Sequence, residues 1–197
     1  MGKSEKRKQL IIERAAILFN EKGIAGTSVD DIIAAADSSK GCFYGHFESK
    51  EELSFASVDY LLDKLTQRRN AALDKHVKAA DKIHAFMDIH KNPLKSFFKG
   101  GSPIVNLSTD SDDTSPTIKK KVKAMVNATI SQLTSILQDG MDRGELSGNL
   151  APAEFANKMF VAIEGANAIC RVLNSAGPMQ LVIESLKKEL ASCTLVL

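Results

Sequence analysis

The chain of 197 residues has no long hydrophobic run, and no stretch reaches the roughly 18 apolar residues that a membrane-spanning helix needs. Its N-terminus is polar and charged, without the apolar segment and cleavage site of a secretory signal. Cysteine is scarce, and the wide spacing of Cys42, Cys170 and Cys193 predicts neither a disulfide framework nor a metal-ligand pair. These absences favour a cytoplasmic protein with no membrane segment, no metal and no cofactor.

A strong charge of one sign is also absent, since the net charge is only +2. With 44% hydrophobic and 25% charged residues, the composition is that of an ordinary globular protein. Basic residues are concentrated at the start, where Lys3, Lys6, Arg7 and Lys8 face a single acidic neighbour, Glu5. This segment is interpreted equally well as a solvated, disordered end or as an arm that contacts phosphate.

Strand-type alternation does not persist anywhere, and apolar residues recur with helical period throughout. The pattern predicts an all-α protein of about nine helices, with a domain boundary near residue 50. The predicted helices cover Ser4–Lys22, Thr27 or Ser28 to Ala36, Ser39–Phe47, Ser49–Leu73, Ala80–Lys91, and the ranges opened by Pro116, Pro152 and Pro178. Glycines, prolines and a polar run predict an irregular loop over Phe97–Ser115, interrupted by one short apolar turn at Ile104–Leu107.

Two short helices joined by a tight turn lie near the N-terminus. The first carries Val29, Ile32 and Ile33 as its apolar face, and the second begins after the break at Asp37-Ser38. Such a pair is a helix-turn-helix, which places its second helix in the major groove of DNA. The first quarter of the chain is therefore predicted to bind DNA, and the remainder to control that binding.

Three sequence blocks recur in an order and spacing that resemble the N-terminal signature of the TetR family of transcriptional regulators. The blocks are Gly23–Ile32 (GIAGTSVDDI), Ser39–Phe47 (SKGCFYGHF) and Ser49–Leu53 (SKEEL). The resemblance covers roughly residues 8 to 55. It implies a helix-turn-helix DNA-binding domain over residues 1–50 and a larger helical ligand-binding and dimerisation domain over 51–197. It further implies a homodimer that binds a palindromic operator in double-stranded DNA and is released by a small-molecule effector.

The resemblance also implies roles for individual residues of the predicted DNA-binding domain, which we call the head. Lys40 and Gly41 would approach base edges, and Cys42 would lie beside them or face the backbone. Tyr44, His46 and Lys50 would contact phosphates, with Thr27, Ser28 and Ser39 as hydroxyl donors. Donors that face outward beside a groove suit phosphate oxygens. The full predicted set of DNA contacts is Thr27, Ser28, Ser38, Ser39, Lys40, Gly41, Cys42, Tyr44, His46 and Lys50.

The chain departs from the family pattern at the turn. Asp37 occupies a position where glycine is common, and aspartate tolerates the left-handed conformation better than most residues. Ser38 stands where a buried valine is common, and we expect its hydroxyl to contact a phosphate instead. A redox role for Cys42 is not favoured, because no strong cluster of positive charge would activate its thiol.

Apolar residues in the later helices either enclose a cavity for the effector or simply pack the core. The candidates for such a cavity are Phe86, His90, Phe97, Phe98, Ile104, Leu107, Met125, Met159, Phe160 and Ile163. The helices that open at Pro152 and Pro178 also carry apolar residues and the small residue Gly165, which suits a four-helix dimer interface or, alternatively, closure of the intrachain core. The basic run Lys119–Lys123 is interpreted as a solvated helix face rather than a second nucleic-acid patch.

An enzyme is not predicted, because no nucleophile set, metal set or phosphate-binding loop is present in the sequence. The alternative to a transcriptional regulator is a helical adaptor that binds protein and has lost its operator. We expect a repressor that responds to a ligand.

Overall fold

A computed structural model describes residues 2–195, and within this range the chain forms nine α-helices and no strand. The all-α class expected from the helical periodicity is confirmed. A 3₁₀ turn lies at Pro93–Lys95, and Leu146 and Thr194 form an isolated antiparallel bridge. The helices are α1 Lys3–Lys22, α2 Val29–Ala35, α3 Lys40–Tyr44, α4 Lys50–Leu73, α5 Ala79–Asp88, α6 Pro103–Ser111, α7 Pro116–Asp142, α8 Pro152–Val172 and α9 Gly177–Ser192.

The chain divides into two compact units. The first contains residues up to 65 together with 97–122, and the second contains 66–96 together with the residues from 123 onward. Helices α4 and α7 each contribute residues to both units. The structural division thus differs from a single boundary near residue 50, and the predicted division of function at that residue stays a prediction.

The core of the first unit is built where α1, α2 and α3 meet the start of α4. Apolar residues at helical spacing on α1 bury one face of that helix, and the rings of Phe43 and Phe47 pack in the same cluster. The buried residues of this cluster are Ile11, Ala15, Phe19, Ile32, Ala36, Phe43, Phe47 and Leu53. Packing of these side chains holds α3, whose two nearby glycines, Gly41 and Gly45, give it low intrinsic helix propensity.

Helix α3 is shorter than the sequence predicts, because it ends at Tyr44 rather than at Phe47. Ser39 caps its start, accepting a hydrogen bond from the Cys42 amide at 3.2 Å. The amides of Gly45 and Phe47 still bond to carbonyls of the helix, so the chain leaves α3 in a tight turn that keeps the Phe47 ring in the core.

The predicted loop over Phe97–Ser115 is wrong for its central part, where α6 forms. Ser102 caps this helix by accepting a hydrogen bond from the Val105 amide, and Pro103 occupies its first turn. The polar residues that suggested a loop are accommodated because Thr109 and Ser111 donate their hydroxyls to backbone carbonyls four residues earlier.

In the second unit α8 packs against α9 and against the 3₁₀ turn. The buried side chains of the two helices form a shared layer, which includes Phe155, Met159 and Ile163 on α8 and Ile183 and Leu186 on α9. Cys170 is fully buried in this layer, and its Sγ accepts a hydrogen bond from the Met179 amide at 3.3 Å. Cys170 is therefore a small packing residue of this layer.

Candidate nucleic-acid interface

The turn between α2 and α3 has the geometry of a helix-turn-helix connection. Asp37 adopts a left-handed conformation with φ of 48°, as its position in the sequence predicts. The Asp37 amide bonds to the Ala34 carbonyl and the Ser38 amide to the Ile33 carbonyl. From α1, Arg7 donates through Nη1 to the carbonyls of Ala36 and Asp37 at 3.3 Å each, so the first helix supports the turn.

The start of α2 is set by a reciprocal cap. The Ser28 hydroxyl accepts from the Asp31 amide at 3.0 Å, while an Asp31 carboxylate oxygen accepts from the Ser28 amide at 2.9 Å. The hydrogen bonds from Ser28 hold the pKa of Asp31 below its ordinary value, and the positive charge of Lys22 acts in the same direction. Ser28 remains exposed.

Four of the predicted DNA contacts are exposed along α3 and its cap, namely Ser39, Lys40, Gly41 and Tyr44. The Lys40 ammonium lies 3.2 Å from an Asp30 carboxylate oxygen in an exposed pair. Such a pair stabilises the fold little, so a phosphate or base can replace Asp30 without great cost. Tyr44 is 58% exposed and packs its ring edge against Phe43, which leaves the ring fixed on the surface.

Gly41 lies on the exposed side of α3 with open space around it. A Cβ placed at this glycine would meet no atom within 4 Å. The fold therefore does not require glycine at this position, and an alanine would favour the helix by about 1 kcal/mol. A bare backbone on the outward face of a recognition helix allows close approach to another molecule.

Two predicted contacts, Thr27 and Lys50, have their polar groups engaged inside the head. Thr27 is fully buried and donates its hydroxyl to the Gly23 carbonyl at 2.8 Å. A side chain in this position cannot reach a phosphate without leaving the core, so we do not retain Thr27 as a side-chain contact with DNA. The Lys50 ammonium donates to the carbonyls of Ile24 and Thr27 at 2.9 and 3.0 Å, which ties α4 to the loop before α2. Its phosphate contact stays a prediction, beside this structural role.

The remaining predicted contacts are partly enclosed. Ser38 has a buried Oγ with no hydrogen-bond partner among residues 2–195, and Cys42 packs partly buried against the core of the head. The His46 ring lies edge-on to Phe47 with 6.4 Å between ring centroids. Phosphate contacts of Ser38 and His46 therefore stay predictions.

The basic N-terminal segment is part of the head rather than a disordered end. It lies in α1, where Arg7 bonds the turn and the Lys8 ammonium lies 5.2 Å from the centroid of the Phe47 ring. The later basic run is engaged with acidic neighbours, since Lys119 pairs with Asp112 and Lys121 with Asp59. This pairing agrees with the interpretation of Lys119–Lys123 as a solvated helix face.

A buried amide network that the sequence does not indicate ties α1 to α6 within the first unit. Asn20 donates to the carbonyls of Lys99 and Gly101, and Asn106 donates to the Asn20 carbonyl at 2.9 Å. Asp110 accepts from the Ile24 amide at 3.0 Å. Gly100 has φ of 97°, and a Cβ there would lie 2.4 Å from the Asn20 carbonyl oxygen, so only glycine allows this approach.

The predicted effector contacts are distributed over both units. Phe97, Phe98, Ile104 and Leu107 belong to the first unit, and Phe97 is half-exposed whereas Ile104 and Leu107 are buried. Within the second unit Phe86, Met159, Phe160 and Ile163 are buried, and the Phe86 and His90 rings lie with centroids 5.0 Å apart. The contact of all these residues, and of Met125, with an effector stays a prediction.

Two histidines of the second unit titrate below the ordinary range. Burial lowers the pKa of His90 to about 4, and the positive charge of Arg68 contributes. Burial also lowers the pKa of His84, with the Lys187 ammonium acting in the same direction. Both imidazoles are therefore neutral near pH 7.

Of the helices that the structure describes, none is long and apolar enough to cross a membrane.

An all-α chain whose N-terminal unit presents an exposed, capped recognition helix is a helix-turn-helix DNA-binding protein. Comparison with known proteins then identifies the family. Residues 11–56 match the family of bacterial regulatory proteins, tetR family, and residues 79–186 match the Tetracyclin repressor-like, C-terminal domain. The chain belongs to the TetR family of transcriptional regulators, as the three N-terminal sequence blocks predict.

Similar proteins agree with this assignment. A TetR transcriptional regulator from Chloroflexus aurantiacus J-10-FL has a TM-score of 0.91 and 31% identity, with 98% of each chain covered. The HTH-type transcriptional repressor DhaR of Mycobacterium sp. (strain GP1) is 22% identical over 87% of this chain and 86% of its own length. A cysteine mutant of the TetR-family regulator CifR, complexed with 26 bp double-strand operator DNA, shares the fold with a TM-score of 0.77 and 18% identity, over 91% of this chain and 94% of its own.

Proposed function

We propose that this TetR-family regulator is a repressor that binds a palindromic operator as a homodimer and releases it when a small effector binds. The observation that carries the proposal is the outward face of α3, where the Lys40 side chain and the bare backbone of Gly41 are exposed together. Lysine at a recognition helix can bond to guanine or to phosphate, and glycine permits close approach. The similarity to DhaR, a transcriptional repressor, supports repression, and the complex of CifR with operator DNA supports operator DNA as the partner.

A homodimer is supported by an apolar face on the C-terminal helices. Val161, Gly165, Ile169 and Val172 follow one another at helical spacing along α8, and the three apolar members are 51–83% exposed. Leu181 on α9 is 70% exposed. Solitary exposed apolar residues are common, whereas a contiguous apolar face marks an interaction site. A dimer with two-fold symmetry would place its recognition helices about 34–36 Å apart, one DNA turn.

Apart from Leu181, the residues of this face differ from those that the sequence suggests for a dimer interface. Phe155, Met159 and Ile163 carry the apolar pattern of α8, yet they are buried in the intrachain core. One face of α8 and α9 therefore closes the intrachain core, and we assign the proposed dimer contact to another face of the same helices. Core closure uses the strong apolar positions, and the proposed dimer uses Val161, Ile169, Val172, Leu173 and Leu181, which we call the α8–α9 apolar face.

Release by an effector requires only that the ligand bind better to a conformation in which the two recognition helices no longer fit one face of the duplex. The ligand then shifts the population by its differential affinity for the two conformations. We assign the effector to the region of the later helices, with Phe86, His90, Met125, Met159 and Phe160 as candidate contacts from the second unit.

The test is selection of duplexes from a random library by the full-length protein, followed by titration of the selected duplex at several salt concentrations. We expect a palindromic consensus and a steep loss of affinity as salt rises, because phosphate contacts release counterions. Lys40→Ala should change the selected consensus. Tyr44→Phe should weaken binding to every duplex alike, since it removes a phosphate donor and leaves the exposed ring in place.

These variants separate the proposal from the alternative of a protein-binding adaptor. Neither substitution disturbs a buried contact, so both variants should unfold at the temperature of the parent. Operator recognition is contradicted if the parent enriches no sequence. It is also contradicted if all three proteins bind every duplex equally. Lys50→Ala is a poorer probe, because it also removes the bonds to the carbonyls of Ile24 and Thr27.

A further inference from the structure

The second unit contains a buried arginine, Arg69, that has no acidic partner among residues 2–195. Arg69 on α4 is 7% exposed, and among residues 2–195 no carboxylate contributes to its pKa, which burial lowers from its ordinary value. Arginine stays protonated in proteins even when its pKa falls. A buried charge is costly unless it is paired and hydrogen-bonded, so an uncompensated guanidinium at this position needs an explanation.

The guanidinium is held in a fixed orientation by neutral groups of α7. Nη1 donates to the Thr129 hydroxyl at 2.6 Å and lies 4.0 Å from the Met125 sulfur. The Thr129 hydroxyl donates its own proton to the Met125 carbonyl at 2.8 Å, so its oxygen is oriented as an acceptor for Arg69. The Thr129 hydroxyl orients the guanidinium but does not neutralise its charge.

The Arg69 guanidinium also has a donor that makes no hydrogen bond within residues 2–195. The Nε of Arg69 is buried and makes no hydrogen bond to any group among residues 2–195. Oε1 of Gln132, three residues after Thr129 on α7, is also buried without a partner among residues 2–195, but it is an acceptor and would not bind a carboxylate. The amide nitrogen of Gln132 donates to Asn70 Oδ1 at 3.1 Å, so this side chain is also held in place.

We propose that Arg69 is the anion-binding residue of the effector site and that the effector is an organic carboxylate with an apolar body. The inference rests on the proposed function, since it identifies the chemical class of the ligand that releases the operator. A carboxylate would pair with the guanidinium through charge-assisted hydrogen bonds, which a neutral ligand cannot supply. The apolar body suits a unit whose candidate contacts include Phe86, Met125 and Phe160.

The test compares carboxylates with their primary amides, which have nearly the same shape and no charge. The probes are decanoate with decanamide and 1-naphthoate with 1-naphthamide, added to full-length protein. Thermal unfolding and calorimetric titration are measured for the parent, for Arg69→Met and for the matched control Arg171→Met, which removes an exposed arginine of the same unit. The parent should be stabilised by at least one carboxylate more than by its amide.

Removal of the guanidinium should weaken carboxylate binding by about tenfold to a hundredfold, the usual loss for hydrogen bonds to a charged group. Without any probe, Arg69→Met should unfold at a higher temperature than the parent, because methionine fills a similar volume without an uncompensated charge. Arg171→Met should match the parent in both measurements. If Arg69→Met does not fold, Arg69→Lys decides the question by retaining the preference for carboxylate with weaker binding.

Several outcomes would overturn the inference. One is a parent that prefers no carboxylate over its amide, as expected if water alone satisfies Nε. Another is an Arg69→Met protein that unfolds at a lower temperature and binds carboxylate as tightly as the parent, which would make Arg69 a purely structural residue. Binding of the selected duplex by the same proteins separates the two proposals. A parent that binds the duplex but no carboxylate contradicts only the anion site, whereas one that binds carboxylate but no duplex contradicts only the regulator.

Discussion

Ser38 has a hydroxyl inside the head with no hydrogen-bond partner among residues 2–195, directly after the left-handed turn at Asp37. Leaving a buried hydroxyl unsatisfied costs about 1–3 kcal/mol. The family resemblance places a buried valine at this position, and the structure supplies the reason, because the Oγ faces the interior. The serine therefore lowers the stability of the head. A contact with DNA would be a reason to retain it.

We predict that Ser38→Val raises the free energy of unfolding by about 1 kcal/mol, since it replaces an unsatisfied polar group by an apolar one. For a chain of this size the unfolding temperature should rise by about 2–4 °C. Ser39→Ala is the matched control. It should lower stability by about 1 kcal/mol, because it removes the cap of α3.

Both variants are followed by thermal unfolding and by titration with the selected duplex. If Ser38 also contacts a phosphate, Ser38→Val will be more stable and will bind DNA more weakly. A valine variant less stable than the parent would show that the space around Ser38 cannot accept the larger side chain, and our account of this residue would then be wrong.

At the scale of single residues, side-chain type predicted the exposed part of the site better than the buried part. Lys40, Gly41 and Tyr44 are exposed as expected, because their neighbours Phe43 and Phe47 supply the apolar face of the turn. Thr27 and Lys50 carry donors that suit phosphate equally well, yet their hydrogen bonds go to backbone carbonyls of the head. A sequence contains the donors but does not say which acceptors lie near them in space.

Helices α8 and α9 use one face for folding, and the proposed dimer would use another. Their buried faces pack on each other, and the α8–α9 apolar face points away from that contact. Gly165 lies at helical spacing between Val161 and Ile169 of this face, and a Cβ there would meet no atom within 4 Å, so the glycine is not needed by the intrachain packing. It leaves room for a helix of a second copy to approach.

We predict that the double substitution Val172→Glu with Leu181→Glu converts the dimer into monomers, because it places two charges in an apolar contact. Both side chains are largely exposed, at 83% and 70%, so each isolated chain should remain folded. Sedimentation velocity measures the mass, and circular dichroism measures the helix content. The monomer should also lose affinity for the palindromic duplex while retaining weak binding to a half-site.

Ser131→Glu, which introduces one charge at an exposed position of α7, is the control and should leave the mass unchanged. A double variant that sediments like the parent would contradict the assignment of the interface to the α8–α9 apolar face. If the parent itself is a monomer at concentrations that bind DNA, the homodimer is contradicted as well.

At the scale of elements, the helical periodicity predicted nearly every helix, and α6 was the exception. Its residues Ser108–Ser111 are polar, and polar runs between glycines and prolines usually form loops. The helix forms because Ser102 caps it, and Ile104 and Leu107 are buried. Asn20, Asn106 and Asp110 then tie it to α1, and contacts between residues some 86 positions apart have no local signal in the sequence.

The second unit as a whole should lose stability in mild acid. The pKa of His90 is lowered to about 4 by burial and by Arg68, and burial lowers the pKa of His84 as well. The unfolded chain therefore binds protons on these imidazoles below about pH 6.5, whereas the folded chain does not. Their contribution to stability is complete above pH 6.5 and is lost as the pH falls towards 4.

We predict that the free energy of unfolding decreases by about 2–3 kcal/mol between pH 7 and pH 4 through His90 alone, with His84 adding to the loss. His90→Gln should flatten this dependence, because glutamine does not titrate. His76→Gln, at an exposed position, is the control and should leave the slope unchanged. Equal pH slopes for the parent and His90→Gln in denaturant titrations would refute the prediction.

The sequence by itself determined the all-α class, the positions of the helices with a strong apolar stripe, and the helix-turn-helix with its left-handed Asp37. These features follow from local periodicity, capping residues and turn preferences, which act between residues close in the chain. Only the tertiary structure decided that Thr27 and Lys50 serve the fold of the head, that α6 is a helix tied to α1, and that Arg69 is buried without an acidic partner among residues 2–195. Each of these features depends on contacts between residues far apart in the sequence. The burial of a side chain and its hydrogen-bond partners are set by those contacts and not by residue type.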